Sequence, residues 1–214
     1  MTQRLRKVLR RIGRTGAARA WHDTTGSISV ETVIILPVVI WALTATFAFT
    51  DAFRHQTSLQ KSVHTAADIV SRASGNAMTP DYLDGVFRFM QRMNDTDMTM
   101  RTRMTLIGWD DEQDEFRVVW SHGSPAAATV KLNDVSLNAA YRDTIPAISP
   151  GETLLLVEGV LSYVPPFRVG LQPRTLSEIT LVRPRFAPGI AFNDPNAPTP
   201  PEAWCAYVVD ACGM

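Results

Sequence analysis

Residues 25–37 read TGSISVETVIILP, and the arrangement of the whole chain follows from this stretch. A Gly-Ser step is followed by a single carboxylate, Glu31, which stands at the start of an apolar run that extends to Phe49. An α-helix rises about 1.5 Å per residue, so a helix of about 20 residues crosses the ~30 Å hydrocarbon core of a bilayer. The run therefore predicts a transmembrane helix over residues 27–50.

Positive charge is concentrated before this run. The chain carries 21 basic and 21 acidic residues in total, but residues 1–26 hold seven arginines and lysines against the single acid Asp23. Basic segments next to a membrane span stay on the cytoplasmic side. We therefore expect residues 1–26 to form a basic cytoplasmic leader and residues 51–214 to form a domain on the opposite side of the membrane.

Two other interpretations of the basic segment and the apolar run are less consistent with the sequence. A secretory signal peptide has an apolar core of about 7–15 residues, which is shorter than this run. An arm that binds nucleic acid has no reason to abut a membrane span, although blocks of positive charge often have that role. The sequence therefore predicts a retained anchor and no nucleic-acid partner.

The apolar pattern continues beyond the predicted span with helical periodicity. Residues 51–73 carry an apolar residue every three or four positions, with no helix breaker before Gly75. This pattern predicts that the same helix continues as the spine of the domain. Pro37 lies inside the run, and because proline cannot donate a hydrogen bond to the carbonyl of Val33, we expect a local kink there.

After this helix the sequence alternates between short helical and strand-like segments. A Thr-Pro-Asp start signal indicates a second helix, and alternating apolar residues around an acidic turn indicate a hairpin. Gly159 suggests a bulge or a bend in the strongest strand. The predicted fold class is α+β, with the long N-terminal helix packed on a roughly four-stranded antiparallel sheet. The predicted segments are a helix from residue 79, a hairpin over 98–121, a weak helix over 132–142, and strands over 152–164 and 177–183.

Cys205 and Cys212 are the two cysteines of the chain. In an exported domain, two cysteines that lie close together in the sequence favour a disulfide. A metal pair is the alternative, but a closed zinc site needs four ligands and no histidine lies near these cysteines in the sequence. We therefore expect a C-terminal disulfide and no metal.

Residues that carry catalytic chemistry in other proteins are present but do not form recognisable motifs. The acidic run over residues 110–115 lacks the central glycine of a calcium-binding loop. His55 and His64 are nine residues apart, which places them on nearly opposite faces of a helix. The sequence has no nucleophile motif, phosphate-binding loop or dinucleotide fingerprint. We therefore expect a protein that is not an enzyme and has no cofactor.

The stretch Gly26-Ser27-Ile28-Ser29-Val30-Glu31 resembles the class III processing signal of type IV pilins and pseudopilins. Extended through Pro37, it is similar to the TadE-like minor pseudopilins of the tight-adherence (Flp) pilus machinery. Three downstream segments share the resemblance: residues 53–56 (FRHQ), 68–72 (DIVSR) and 164–167 (VPPF).

This resemblance implies a pilin-like fold and a structural role in pilus assembly. In that family a prepilin peptidase cuts after the glycine, here Gly26, so the mature chain would begin at Ser27 with Glu31 as its fifth residue. Glu31 and Pro37 would serve recognition and assembly. The implied partners are the prepilin peptidase, other pilin or pseudopilin subunits and the inner (cytoplasmic) membrane, with the C-terminal domain periplasmic or extracellular. The alternative is an uncleaved bitopic inner-membrane protein whose periplasmic domain binds a partner or the cell envelope.

Under either function, the presence of the Glu31 carboxylate at the start of an apolar run needs an explanation. A carboxylate costs up to about 2.5–3.5 kcal/mol at the centre of a bilayer and less near the interface. Three roles are open for it. Glu31 could lie at headgroup level, where the helix N-terminus favours an anion. It could be part of the signal that the peptidase recognises, or it could pair after cleavage with the new α-ammonium group of Ser27, in its own chain or in a neighbour.

Overall fold

The computed structural model describes residues 27–73, 77–94, 97–125, 128–193 and 208–209. The predicted leader over residues 1–26, with Gly26, lies outside the described residues, and so do Cys205 and Cys212. The leader and the C-terminal disulfide therefore stay predictions.

The first helix, α1, covers Ser27–Ser71 and is 45 residues long. At about 1.5 Å per residue its length is about 67 Å. The helix continues through Pro37. The prediction that one helix runs from the apolar stretch into the domain is therefore confirmed.

The second half of α1 buries one apolar stripe and leaves its other faces polar. The fully buried residues of this stripe include Leu59, Val63 and Val70. The first two are four residues apart and the last two are seven apart, which corresponds to about one and two helical turns. On the outer side Arg72 Nε lies 2.9 Å from Asp68 Oδ2, one turn away. This half is the amphipathic spine that the periodicity of the sequence predicts.

The second helix, α2, covers Pro80–Met93 and packs beside α1. Its first turn is capped by Thr79, whose Oγ1 accepts a hydrogen bond from the Tyr82 amide at 3.3 Å. At its other end Asn94 Nδ2 donates to Ser62 Oγ at 3.0 Å, and both residues are buried. A polar contact thus fixes α2 to the spine, and the predicted helix start after residue 78 is confirmed.

Four strands form an antiparallel sheet in the order β2-β1-β3-β4. The predicted hairpin, the strong strand and the last strand are all confirmed, and so is the short helix α3 between the two pairs of strands. The element bounds are β1 Met100–Asp110, β2 Glu115–Gly123, α3 Asp134–Tyr141, β3 Thr153–Tyr163 and β4 Arg174–Val182. Two further short strands, β5 (Phe192–Asn193) and β6 (Val208–Val209), pair in parallel.

Both faces of the sheet are buried, so the domain has three layers. On one face α1 and α2 cover a core that includes Met104, Leu106, Trp120, Leu155 and Leu161. On the other face α3 and the segments around it cover a second core that includes Ile107, Val118, Leu137, Ile148 and Leu156. A strand that is buried on both sides is apolar almost throughout, which is why β3 reads as a continuous apolar run and does not alternate.

The bulge or bend predicted at Gly159 is not a bulge. β3 pairs in unbroken register with β1 and with β4 on either side of Gly159, and the register shift in the sheet lies between Leu106 and Ile107 of β1, against β2. Gly159 instead lies directly under α1. A Cβ atom there would be 2.6 Å from Val63 Cγ2 and 3.1 Å from Leu59 Cδ1. The glycine is required because the Val63 and Leu59 side chains of α1 pack against the backbone of the strand at this point.

The segment before β5 closes the first core near α2. Trp120 Nε1 donates to the carbonyl of Ile190 at 2.8 Å, and the Trp120 ring stacks on Phe192 with centroids 4.8 Å apart. Phe192 also forms a parallel bridge with Met78, just before α2. This part of the chain therefore packs into the core, although its sequence carries no strong strand pattern.

Replacing Gly159 by valine should destabilise the domain by about 1–3 kcal/mol, because the added side chain overpacks a tight helix–strand contact. Val63, the nearest neighbour, is β-branched and has little rotamer freedom in a helix to move aside. The measurement is urea unfolding of the detergent-solubilised chain, followed by tryptophan fluorescence.

Gly85→Ala in α2 is the matched control for the Gly159 experiment. Apart from its own stretch of helix, nothing lies within 4 Å of the place that a Cβ atom at Gly85 would occupy, and alanine is a better helix former by about 0.8–1 kcal/mol. This variant should be as stable as the parent or more stable. Equal stability of the Gly159→Val variant and the parent would contradict the close approach described above.

Candidate functional site

The first half of α1 exposes apolar side chains on all of its faces. Between Ser29 and Thr50, Ala48 is the one residue classed as buried. Monomeric soluble proteins rarely expose a continuous apolar patch of more than a few hundred Å². Within the described part of the chain, one helix, which covers Ser29–Ser71, is long and apolar enough to cross a membrane by length and composition. The large exposed apolar residues of this half are Val30, Val33, Ile34, Ile35, Leu36, Val38, Val39, Ile40, Trp41, Leu43, Phe47 and Phe49.

Three threonine side chains of this half are satisfied within the helix itself. The hydroxyl groups of Thr44, Thr46 and Thr50 each donate to a backbone carbonyl four residues earlier, at 2.8 Å. A hydroxyl group in hydrocarbon has no water to bind, so an internal acceptor removes most of the cost of burying it. These threonines therefore do not argue against a membrane span.

Glu31 is the one charged residue that the exposed half carries. Nineteen consecutive uncharged residues separate it from Asp51, which corresponds to about 28 Å of helix. The Glu31 side chain is exposed. It makes no hydrogen bond or ion pair with another described residue. Ser27 begins α1 one helical turn before it, so the two lie on the same side of the helix.

The helix is tied to the domain at the point where the uncharged stretch ends. The Tyr163 hydroxyl, at the end of β3, donates to Asp51 Oδ2 at 2.8 Å. His55 Nε2 lies 3.7 Å from the other oxygen of the same carboxylate, and its ring is 5.4 Å from the ring of Tyr163. We call Asp51, His55 and Tyr163 the collar. It fixes the helix relative to the sheet with a charged hydrogen bond and ring packing.

The environment of Tyr163 changes its acidity. Burial disfavours the phenolate, and the hydrogen bond to Asp51 and the negative charge of that carboxylate disfavour it further, which raises the pKa of Tyr163 to about 12. The side chain is completely buried. Tyr163 is therefore a neutral hydrogen-bond donor at every physiological pH.

The loop between β3 and β4 contacts the exposed apolar half of α1. Its Phe167 ring packs edge-on against the ring of Phe47, with centroids 6.0 Å apart. Behind this contact a cavity of about 290 Å³ separates the helix from the start of β4. The cavity is lined by Phe49, Ala52, Phe53, Gln56, Leu171, Arg174 and Leu176.

This region unites two of the segments that resemble TadE-like proteins. Residues 53–56 supply His55 to the collar, and residues 164–167 supply the Phe167 contact. Sequence reasoning did not identify Asp51 or Tyr163 as functional residues. The available signal for Asp51 was its position as the first charge after the uncharged stretch.

A second polar cluster lies on the opposite face of the sheet. Glu158 is buried, and its two oxygens accept from Arg103 Nε at 2.6 Å and from a second Arg103 nitrogen at 3.0 Å. The Tyr141 hydroxyl donates to the same carboxylate at 2.5 Å. Burial works against the charge of Arg103, but the hydrogen bonds and the attraction of Glu158 outweigh it and raise the pKa of Arg103. Burial, followed by the hydrogen bond to Glu158, raises the pKa of Tyr141.

The contacts within this cluster indicate a structural role. Arg103, Tyr141 and Glu158 line a cavity of about 330 Å³, but each is already engaged by the others. Arg103 also donates to the carbonyl of Val130 at 3.1 Å. The cluster thus joins β1, β3 and α3 through paired, hydrogen-bonded charges, which is the condition under which buried charges are tolerated.

The acidic hairpin turn has internal partners for several of its charges. Asp110 Oδ1 accepts from the amides of Glu112 and Gln113 at 3.0 and 3.3 Å, and Arg142 lies 3.3 Å from Asp114. Among the described residues no group of three His, Cys, Asp or Glu side chains could hold a metal ion. The turn therefore has the geometry of a solvated hairpin tip.

His55 and His64 have separate environments. His55 belongs to the collar, whereas His64 Nδ1 lies 3.2 Å from Thr180 Oγ1 on β4. This separation agrees with the prediction that the two histidines lie on different faces of the helix.

Replacing Tyr163 by phenylalanine should destabilise the domain by about 1.5–3 kcal/mol at neutral pH, the usual range for a hydrogen bond to a charged group. Because the folded-state pKa of about 12 lies above the unfolded value of ~10, this contribution is complete below pH ~10 and is lost as the pH rises through the folded-state pKa. The measurement is urea unfolding in detergent at pH 8 and at pH 11, with Tyr82→Phe as a control at an exposed position. A stability loss at neutral pH as small as that of the control would contradict the role of the collar.

One comparison with known proteins gives a match, and it lies on α1. The family described as TadE-like protein matches residues 26–68, which is about one fifth of the chain. No curated protein and no solved structure shows a significant match. The matched segment contains Glu31, the whole uncharged stretch and two of the three collar residues. Over this segment the chain is similar to the TadE-like proteins.

Proposed function

We propose that the protein is a minor pseudopilin, a structural component of a tight-adherence (Flp) type IV pilus. The observation that supports this most is the exposed apolar half of α1, with Glu31 at its start, inside the segment that matches the TadE-like family. Such a helix needs an apolar environment on all sides, first a lipid bilayer and then a bundle of similar helices. In this proposal residues 27–50 span the inner membrane once, with residues 1–26 in the cytoplasm and residues 51–214 outside.

The unbroken helix suits this role mechanically. α1 enters the domain as one helix, and it is tied to the sheet by the collar and by the stripe that includes Leu59 and Val63. A force or a displacement applied to the membrane half is therefore transmitted to the domain without a hinge loop between them. In the proposed assembly the helix packs with pilin-type helices while the domain caps, primes or regulates the fibre.

Processing by a prepilin peptidase after Gly26 is the second part of the proposal. A peptidase needs an accessible, extended backbone, and glycine disfavours the helix and adds no side chain. Cleavage there would create an α-ammonium group on Ser27, one turn from Glu31. The positive charge would then lie where the carboxylate has no partner among the described residues.

Pairing of Glu31 with that ammonium group explains why a carboxylate is kept in an apolar segment. An unpaired carboxylate resists transfer into hydrocarbon, whereas a paired one loses much of that cost. In a fibre the ammonium group could belong to the same chain or to a neighbour, which would set the axial register between helices. Pro37, six residues further on, would adjust the path of the same helix.

A structural role also accords with the domain. Two buried or half-buried charge clusters, the collar and the Arg103–Glu158–Tyr141 cluster, are satisfied internally. Neither presents a nucleophile beside a free base. We therefore propose no enzymatic activity, no cofactor and no nucleic-acid partner.

Gly26→Leu should block processing. The parent expressed with its assembly machinery should lose about 3 kDa, the share of 26 residues in a 214-residue chain of 23.7 kDa, and intact-mass spectrometry should find a chain that begins at Ser27. The Gly26→Leu variant should keep its full mass. A variant that still loses this mass would show that the assigned cleavage site is wrong.

Glu31→Gln should leave membrane insertion intact but impair pilus assembly, because the amide cannot form an ion pair with the α-ammonium group. Insertion is measured by membrane fractionation, and assembly by the amount of sheared pili. Glu31→Asp, which keeps the charge, should restore part of the assembly. Normal pili from the Glu31→Gln variant would exclude the pairing role and would leave the headgroup position as the explanation of Glu31.

The alternative function, an uncleaved bitopic protein whose external domain binds a partner or the envelope, makes the opposite prediction for the parent. An intact leader in a strain that builds pili normally would favour this alternative.

A further inference from the structure

We propose that residues 164–173, the loop between β3 and β4, form a strap that docks on the phospholipid surface at the domain side of the membrane, with Phe167 at the lipid–water interface. This inference rests on the proposed insertion of residues 27–50 in a bilayer. It assigns a lipid-binding surface to the domain itself, in addition to the helix.

The depth of Phe167 is the first argument. Its ring contacts Phe47, which lies one helical turn before Asp51, the first charge after the uncharged stretch. One turn is about 5.4 Å along the axis, and side chains on a helix tilt toward its N-terminus, here toward the membrane. The Phe47 ring therefore lies deeper than the Asp51 carboxylate. A loop of the domain that contacts this ring must reach the interfacial layer of the bilayer.

The side chains of the strap are of the kinds found in the interfacial layer of a bilayer. Val164 and Phe167 are exposed, Phe167 to 46%, although both are apolar. On the adjacent helix Phe53 is exposed to 70%. Residues 164–173 contain no acidic residue. Exposed aromatic rings that surround the end of a membrane span are typical of residues at the headgroup level.

Charge complementarity points to a phospholipid as the occupant. Arg54, Arg168 and Arg174 are exposed, and among the described residues none of the three lies within ion-pair distance of a carboxylate. The nearest acid on the helix, Asp51, is engaged by Tyr163 and His55. Three arginines without partners around an apolar surface fit the phosphate groups of a lipid layer and attract an anionic one more strongly.

The cavity behind the strap combines apolar walls with a positive charge. It has a volume of about 290 Å³, with phenylalanine side chains on the helix and leucine side chains opposite, and Arg174 contributes to its lining. Apolar walls and one cation match the upper part of an acyl chain and its phosphate. A single lipid molecule could therefore bind beneath the strap while the rest of the bilayer supports it.

The strap is held in this position before it meets lipid. Its start is fixed by the hydrogen bond from Tyr163 to Asp51, and Pro165, two residues after Tyr163, is buried. Residues 165, 166 and 173 are prolines, which limits the conformations that the loop can adopt. Little ordering is then required on docking, which favours binding.

The test places the photoreactive amino acid p-benzoyl-phenylalanine in the full-length chain, reconstituted in nanodiscs of phosphatidylethanolamine and phosphatidylglycerol. It replaces Phe167, Val33 or Phe186 in separate preparations, and lipid adducts are identified by mass spectrometry after illumination. Phe186 is the matched control because it is an aromatic residue exposed to 67%. Its neighbour Arg185 lies 2.8 Å from Asp68. Asp68 is 21 residues, or about 31 Å of helix, beyond Phe47, so position 186 lies far from the strap.

We expect lipid adducts at positions 167 and 33 and none above background at position 186. Adducts at position 33 with none at position 167 would overturn the strap and leave the membrane insertion of the helix intact. Absence of adducts at all three positions would overturn both proposals. Adducts at position 167 that join it to a second copy of the chain, in place of lipid, would assign the strap to a subunit interface and overturn the lipid proposal.

The role of the arginines is tested in the same experiment with a change of lipid. In nanodiscs of phosphatidylcholine, which carries no net charge, the yield at position 167 should fall while the yield at position 33 is unchanged. The Arg168→Gln variant should show the same loss in the anionic nanodiscs. An unchanged yield under both conditions would show that the arginines do not recognise lipid charge.

Discussion

Helix α1 is one continuous helix that must be stable in two different environments. Its first half has apolar side chains on all faces and its second half has a single apolar stripe, so the surroundings must change from an apolar phase to a protein core within about one turn. Asp51 lies at this change. Its carboxylate is held by Tyr163 and His55, and the end of the uncharged stretch is thereby attached to the end of β3. The orientation of the whole domain relative to the exposed half depends on this attachment.

The domain is built so that the helix can lie close to the sheet. A side chain at position 159 would collide with Val63 and Leu59, and the glycine lets these two side chains of α1 pack on the backbone of β3. The opposite face of the sheet carries the second core and the buried Glu158, whose charge is balanced by Arg103 and Tyr141. A sheet that is buried on both faces is rigid, and it gives the helix a firm support. This rigidity is what the proposed function, in which displacement is transmitted from the membrane to a fibre, would require.

The family match and the structural features coincide on α1 and diverge beyond it. The TadE-like match ends at residue 68, near the end of the spine. The match therefore describes the helix that the proposed assembly would share with other pilin-type subunits. The sheet, the acidic hairpin and the strap lie outside it. The strap belongs to the domain but contacts the exposed apolar half of the helix.

Local patterns in the sequence were sufficient for the helix, its continuation, the capped start of α2, the hairpin and the succession of elements of an α+β domain. Each of these depends on residues that are neighbours along the chain, whose periodicity or turn chemistry determines the outcome within a few positions. Glu31 also stood out, because a charge in an apolar run is costly wherever the domain lies. At Gly159 the suggested bulge is absent and the sequence did not indicate the packing of α1 side chains, because a glycine in a strand has the same local signature in both cases. The pairing of Asp51 with Tyr163, 112 residues apart, and the contact of Phe167 with Phe47 were likewise decided by folding. Nothing in the residues around either partner carries information about the other, and the two meet because the sheet places the end of β3 beside the helix where the apolar stretch ends.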